Sequence, residues 1–543
     1  MEQKNKLTKD AARVLKIYAS LVEKLKRYPT SEELAKAEVT RNMWRHHFLT
    51  VEGIRKEARK AYPKVFENLF SSDDFTPARF RDTREALRDV DEFIICTAVS
   101  GQNIFEPAYK ALQTWMKKTD GLALFTPQKD TASKGQQGGS GKDSYFFDPL
   151  LKGAEFVWKD LKLNNKVTIS DFQVSAKQLN PHMGAERIAD KSGLLILASP
   201  QTRLTPLANM DRLPGYIVSG GAITIGKYST DMHRSLRTAK LARSNHRLGG
   251  VYVKLLGKNK YEFTPIQFDS SDGHFTLDGV RYFADGKAEH VNPAVIDFGD
   301  IHAQELSFWM RRKFFQILKD KRPKRIGLHD VFSGITINPF NTRKKEYQFL
   351  ENKEYGATTL KAELENTGRL LNDAAKLVET VDVIDSNHHK FLEFWIAGGN
   401  YRLGDPENIH MAHKIADAWL SDPHTPILET ALRCAGIKLE KNILFHKSYK
   451  SLKFKGIERQ HGHASSSGMK GFSLEKINLE LGPSNTMHRH YCAIVGDAWC
   501  GGTFSGVGDR RPNYAKQGAN KQANAYIEIY DDGLRTLTHV FED

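Results

Sequence analysis

Apolar positions in the first 70 residues recur at helical spacing. Val14, Ile17, Leu21 and Leu25 follow i, i+3, i+7, i+11 and predict one face of a helix over residues 10–27. Tyr28-Pro29-Thr30 ends it, and Thr30-x-x-Glu33 is a capping-box pattern opening a second helix through Leu34 and Ala37. After a turn at Val39-Thr40, residues 41–48 predict a third helix capped by Thr40. Two short helices joined by a tight turn, the second rich in Arg, Asn and His, make a helix-turn-helix-like arrangement. Arg41, Asn42 and Arg45 are then the candidate DNA-binding residues, with Trp44 and Phe48 packed inward. The plainer alternative is a three-helix protein-docking module whose basic face is solvated.

The period changes beyond residue 72. Residues 92–99 (EFIICTAV), 122–125 and 193–198 (GLLILA) predict buried strands, and residues 106–118 a helix. Residues 251–283 alternate apolar and polar positions around turns such as Ser271-Asp272-Gly273, which predicts antiparallel strands. Residues 72–285 therefore form an expected α/β accessory domain with a mobile loop at 131–143 (TASKGQQGGSGKD). The paired glycines at 220–221 and 249–250 read as turns, and no catalytic constellation stands out here.

From residue 290 onward, polar clusters punctuate the buried strands. Residues 294–298 (AVIDF) lead into Gly299-Asp300-Ile301-His302 and a helix over 305–318. Residues 325–328 end in His329-Asp330, and 381–384 in Asp385-Ser386-Asn387-His388-His389. Gln460-His461-Gly462-His463 and Met487-His488-Arg489-His490 follow. The carboxyl ends of strands in an α/β sheet open onto the usual ligand crevice, so these side chains are placed to converge. Each pair alone is a common surface feature; the ordered set is not. Asp531-Asp532-Gly533 between two alternating runs predicts a closing hairpin.

Charge points to a polyanionic partner. The 543 residues carry a net charge of +15, and the first 70 hold sixteen basic against nine acidic side chains. Such a basic end favours nucleic acid, although charge alone also suits an anionic membrane surface. A mean hydropathy of -0.50 and no apolar run near a bilayer's width exclude a helical membrane protein. The start, MEQKNKLTKD, has the charge of an export signal without its apolar stretch. Cys96, Cys434, Cys492 and Cys500 show no framework spacing and read as thiols of a reducing compartment. A cytoplasmic setting is expected.

The order Asp-x-His, Asp, Asn-His, His, His-x-His over residues 290–515 resembles the calcineurin-like metallophosphoesterases, which include the double-strand-break-repair nucleases. The resemblance implies an α/β fold whose C-terminal domain, 290–543, is a two-sheet sandwich with metals at its edge. It implies that Asp300, His302 and His490 hold one divalent ion and Asn387, His461 and His488 a second, with Asp330 bridging and His388 catalytic. Two such ions clamp an anionic phosphodiester and lower the pKa of a bound water. Oxygen and nitrogen donors without thiolates suit Mn²⁺, Fe or Zn, and the resemblance favours Mn²⁺. His463, His446, His410 and His413 are rivals to His461 in the fourth cluster, while Asp497 and Cys500 read as structural. Ser386-Asn387-His388-His389 stands where the family has Gly-Asn-His-Asp/Glu, Met487 where the last box has Gly, and His329 where Gly precedes the bridging Asp.

Taken whole, the chain also resembles the pre-early first-step DNA-transfer proteins of T5-like phages. That implies a metal-dependent deoxyribonuclease acting on DNA in the host cytoplasm, in host DNA degradation and phage DNA transfer. A second phage-encoded transfer protein and a second copy of this chain are the candidate protein partners. Two other functions stay open: a DNA-binding transfer or regulatory factor with a structural or vestigial metal site, and a phosphodiesterase or nucleotidase of small substrates.

Overall fold

The computed structural model describes residues 9–25, 29, 31–40, 43, 47–48, 51–66, 87, 90–129, 145, 147–172, 174–176, 178, 180–209, 214–228, 236–338, 356, 359–399, 401, 408–447, 452–461, 485–488, 491–505 and 521–541. Arg41, Asn42, Arg45 and the 131–143 stretch lie outside them. Helices Lys9–Leu25, Ser31–Lys36, Val51–Ala61 and Pro63–Phe66 enclose a core of their own, including Val14, Tyr18, Val22, Ile54 and Phe66. The first helix buries Ala11, Val14, Leu15, Tyr18, Ala19 and Val22. This corrects the Val14/Ile17/Leu21/Leu25 stripe by about one residue of rotation. Tyr18 stacks on Phe66 with ring centroids 6.5 Å apart, so an aromatic pair sets the inward face and Ile17 and Leu21 flank it half-buried.

A six-stranded sheet organises the C-terminal part. Val295–Asp300 pairs in parallel with Arg325–His329, that strand with Thr380–Val383, and that one with Ile443–Phe445. The hairpin Ala525–Ile529/Arg535–His539 adds antiparallel to the other side of Val295–Asp300, turning at Asp531-Asp532-Gly533 with Gly533 at φ 89°. Parallel neighbours need crossovers, which helices Phe308–Lys321, Leu360–Ala375, Lys390–Ala397, Ile409–Ser421 and Ile427–Cys434 supply. Phe314, Leu364, Leu371, Trp395 and Leu432 from these helices pack onto Phe298, Leu328 and Val381 on one face of the sheet.

Strand residues alternate faces, so Val295, Ile527 and Ile529 belong to the core on the opposite side. There they meet Ile457, Ile494 and Trp499 of a ten-stranded sheet. That sheet combines two distant stretches of chain: Cys492–Val495 pairs antiparallel with Thr202–Leu207, with Ile494 opposite Leu204. A five-stranded sheet containing Glu92–Val99 and Gly249–Leu255 shares the same core through Phe93, Ile95 and Val251. The paired glycines are close-packing positions rather than the expected turns. Gly220 closes one strand against the backbone of Gly250 in another, leaving no room for a Cβ. The result is a mixed α/β fold. Among the described residues no helix is long and apolar enough to cross a membrane, and none of the four cysteines forms a disulfide.

Candidate metal centre

Three adjacent parallel strands and one strand of the facing sheet deliver their ends to a single place. Asp300 is the last residue of Val295–Asp300, and Asp330 follows directly on Arg325–His329. Asn387 and His388 lie just past Thr380–Val383, and His461 closes Ile457–His461. The pairing between the first two strands continues past their ends: Ile301, His302 and Ala303 donate backbone N–H to the carbonyls of His329, Asp330 and Val331 at 3.0, 2.9 and 2.9 Å. These bonds hold His302 at φ 46° and Asp330 at φ 43°, left-handed conformations costing on the order of 1–3 kcal/mol each. Strain of that kind at two candidate ligands aims both side chains out of the ladder.

The side chains converge in two groups that share Asp330. His302, Asp330 and His388 form one; Asp300, Asp330 and His461 form the other, each with donor atoms within 4.8 Å of one another. His461 Nε2 lies 3.5 Å from Asp330 Oδ2 and donates to Asn387 Oδ1 at 2.9 Å, while its Nδ1 is 3.7 Å from Asp300 Oδ1. His461 thus touches a group that the resemblance assigns to the other ion, Asp300, as well as one assigned to its own, Asn387. His388 donates Nδ1–H to the Ser333 carbonyl at 2.6 Å, which leaves Nε2 as the nitrogen able to take or give a proton. Its ring lies edge-on to His302, with centroids 4.5 Å apart.

Asp300, His302 and Asp330 are almost wholly buried. Burial pushes the Asp300 carboxyl well above the usual carboxylate range, and the neighbouring Asp330 charge pushes the same way. Burial also raises Asp330, but His461, His388, His302 and the Ser386 hydroxyl outweigh it and hold the group well below that range. Two carboxylates this deep repel each other, and a cation between them would relieve both the repulsion and the cost of burial. The donors, carboxylate and amide oxygens with imidazole nitrogens, fit a divalent cation of intermediate hardness.

Other candidates fall elsewhere. The backbone of His488 pairs with that of His461 across parallel strands, whereas His490 and His463 lie outside the described residues. His446 bonds Asp382 at 2.8 Å, and His410 and His413 lie exposed on the helix Ile409–Ser421. Asp497 takes two bonds from Arg247, and Cys500 donates to the Tyr491 carbonyl. A third donor group, Asp269, Asp272 and His274, is tied up internally: His274 bonds Asp272 and Asp532, and Arg281 bonds Asp531 and Asp532.

Three supporting residues escaped the sequence reading. Glu305 Oε2 lies 3.6 Å from His302 Nδ1. Glu363, on the inward face of Leu360–Ala375, accepts from Ile335 N–H, Thr336 N–H and the Thr336 hydroxyl, and so fixes the loop that presents Ser333 to His388. Burial pushes its carboxyl up to about 7 against those donors. Arg459 binds Asp297 and Asp382 inside the sandwich. A charge in the middle of an apolar strand, as in AVIDF, was the available signal.

Protein A1 of Escherichia phage T5 is 26% identical to this chain over 427 residues, which cover 74% of this chain and 73% of that protein. The chain is thus related to a T5 phage protein. No family model matches the chain, and no solved structure matches it.

Proposed function

We propose that this chain is a divalent-metal-dependent deoxyribonuclease that hydrolyses DNA phosphodiester bonds at the Asp300/Asp330 centre. The observation that carries this reading is the convergence of Asp300, His302, Asp330 and His461 at the strand ends, with His388 beside them. Two ions, with Mn²⁺ the first choice, would supply neutralisation of the phosphodiester oxygens and an acidified water. Asp300, His302, Asp330, Asn387 and His461 would hold these ions, with Asp330 shared between them. His388, with Nδ1 committed to Ser333, would deliver a proton from Nε2 to the leaving oxygen. The basic first 70 residues would hold DNA by its phosphates. As the sequence resemblance implies, that activity would serve host DNA degradation and phage DNA transfer in the host cytoplasm; the relative is a phage protein.

The test is cleavage of duplex and single-stranded DNA with Mn²⁺, with EDTA and in Asp330→Asn, beside a nitrophenyl phosphodiester. Cleavage should need Mn²⁺ and fall at least ~10³-fold in the folded variant, about 4 kcal/mol of transition-state stabilisation. Turnover of the small diester alone would move the function to small-substrate phosphodiester hydrolysis. Turnover of neither, with DNA still bound, would leave a binding factor. Removing residues 1–70 should weaken DNA affinity and flatten its salt dependence.

A further inference from the structure

The two sheets that build the centre are joined just below it by one buried cation. Arg459 and its partners Asp297 and Asp382 are all almost fully buried. Arg459 Nε donates to Asp297 Oδ1 and Oδ2 at 3.0 and 2.9 Å, Nη2 to Asp297 Oδ1 at 2.6 Å, and Nη1 to Asp382 Oδ2 at 3.0 Å. Arg325 shares Asp382 Oδ2 with Arg459 at 3.2 Å, and His446 binds Oδ1 at 2.8 Å. Burial opposes the charge on Arg459, but the two carboxylates outweigh it and keep the guanidinium charged.

Register explains how the side chain fits. Asp297, Gly327 and Asp382 are direct neighbours across three parallel strands. Gly327 has no side chain, and a Cβ there would run into the Asp297 carboxylate and the Arg459 guanidinium. The gap at Gly327 is therefore the socket into which the facing sheet inserts Arg459. On its own strand Arg459 shares a buried face with Ile457 and His461, two residues further along. Asp300 lies three residues beyond Asp297, and Asp330 three beyond Gly327. At roughly 3.3 Å per residue, the ion cluster sits about 7–10 Å beneath the centre on the same strands that carry its ligands.

We infer that Arg459 is a positioning residue: by locking the strand Ile457–His461 onto Asp297 and Asp382, it sets the reach of His461 to Asp300, Asp330 and Asn387. The planar fork suits the task, because it binds two carboxylates on separate strands in one plane, which a lysine ammonium cannot do. The consequence for metal affinity rests on the proposed metal centre; the positioning of His461 does not.

The test compares the full chain with Arg459→Lys, Arg459→Met and a charge-free triple variant, Asp297→Asn/Asp382→Asn/Arg459→Met, which keeps a fold if the lone substitutions do not. Two readouts are taken on folded protein. In EDTA, the imidazole ¹⁵N shifts of His461, assigned with His461→Gln, report its Nε2–H bond to Asn387. Mn²⁺ titration and the kcat–KM split on DNA report the centre. The inference predicts loss of the fixed Nε2–H signature in every folded variant, Mn²⁺ affinity weakened roughly ten- to hundred-fold, kcat lowered, and KM unchanged. An unchanged His461 signature in a folded variant overturns it, whatever happens to stability. Wild-type protein that binds no Mn²⁺ overturns the metal centre alone, and the His461 signature still decides the role of Arg459.

Discussion

Two sets of buried aspartates occupy successive levels of one sheet, and they differ in what faces them. Asp297 and Asp382 close around a guanidinium, with every charge paired inside the protein. Asp300 and Asp330, one level higher at the strand ends, face the imidazoles of His461, His388 and His302. An arginine is a permanent counter-ion and makes the lower set a structural fastener. Imidazoles are weak or conditional counter-ions and also metal ligands, which leaves the upper set able to hold a cation. The residue types are alike; the partner decides the role.

Breaking the lower set should show first in stability. Arg459→Met leaves two carboxylates buried without their main partner and should cost about 3–5 kcal/mol, read from the urea midpoint at unchanged slope. Asp330→Asn in EDTA removes a carboxylate that the surrounding imidazoles hold below its usual range, so it should also cost stability, but less than Arg459→Met, because those imidazoles can shed their protons and leave no unpaired buried charge. Equal losses in both would erase the distinction.

Glu363 sharpens the comparison as a buried carboxylate held by hydrogen bonds alone. Its folded value, about 7, lies above the 4.5 usual for a glutamate side chain. The folded state therefore holds a proton that the unfolded state has released, so stability is full below 4.5 and falls as pH rises toward 7. Wild type should lose up to about 3 kcal/mol across that window relative to Glu363→Gln. Parallel stability curves for the two proteins would remove Glu363 from the account. Gly327→Ala, which fills the socket of Arg459, should cost about 1–3 kcal/mol by overpacking and leave a folded chain in calorimetry.

Much of this was legible in sequence where the signal was local. The strand Glu92–Val99 matches its apolar run, and the clusters at Asp300, Asp330, Asn387-His388 and His461 announced themselves by following apolar strands. What escaped depends on distance along the chain. Arg459 meets Asp297 across 162 residues and Asp382 across 77, so no window of sequence holds the fastener. The pairing of Cys492–Val495 with Thr202–Leu207 is hidden for the same reason. Backbone strain at His302 and Asp330 also left no mark, because neither is the glycine that such a φ usually recruits. On the first helix the aliphatic spacing was real, yet the Tyr18–Phe66 stack chose the buried face.

The claim that the upper aspartates seat a cation is tested most directly by chemical denaturation of wild type and Asp330→Asn, each in EDTA and in saturating Mn²⁺. A ligand that binds only the folded state at a hundred times its Kd stabilises by about 2.7 kcal/mol. Wild type should gain about that much from Mn²⁺, and Asp330→Asn should gain little. No gain in wild type, or an equal gain in the variant, would contradict the account.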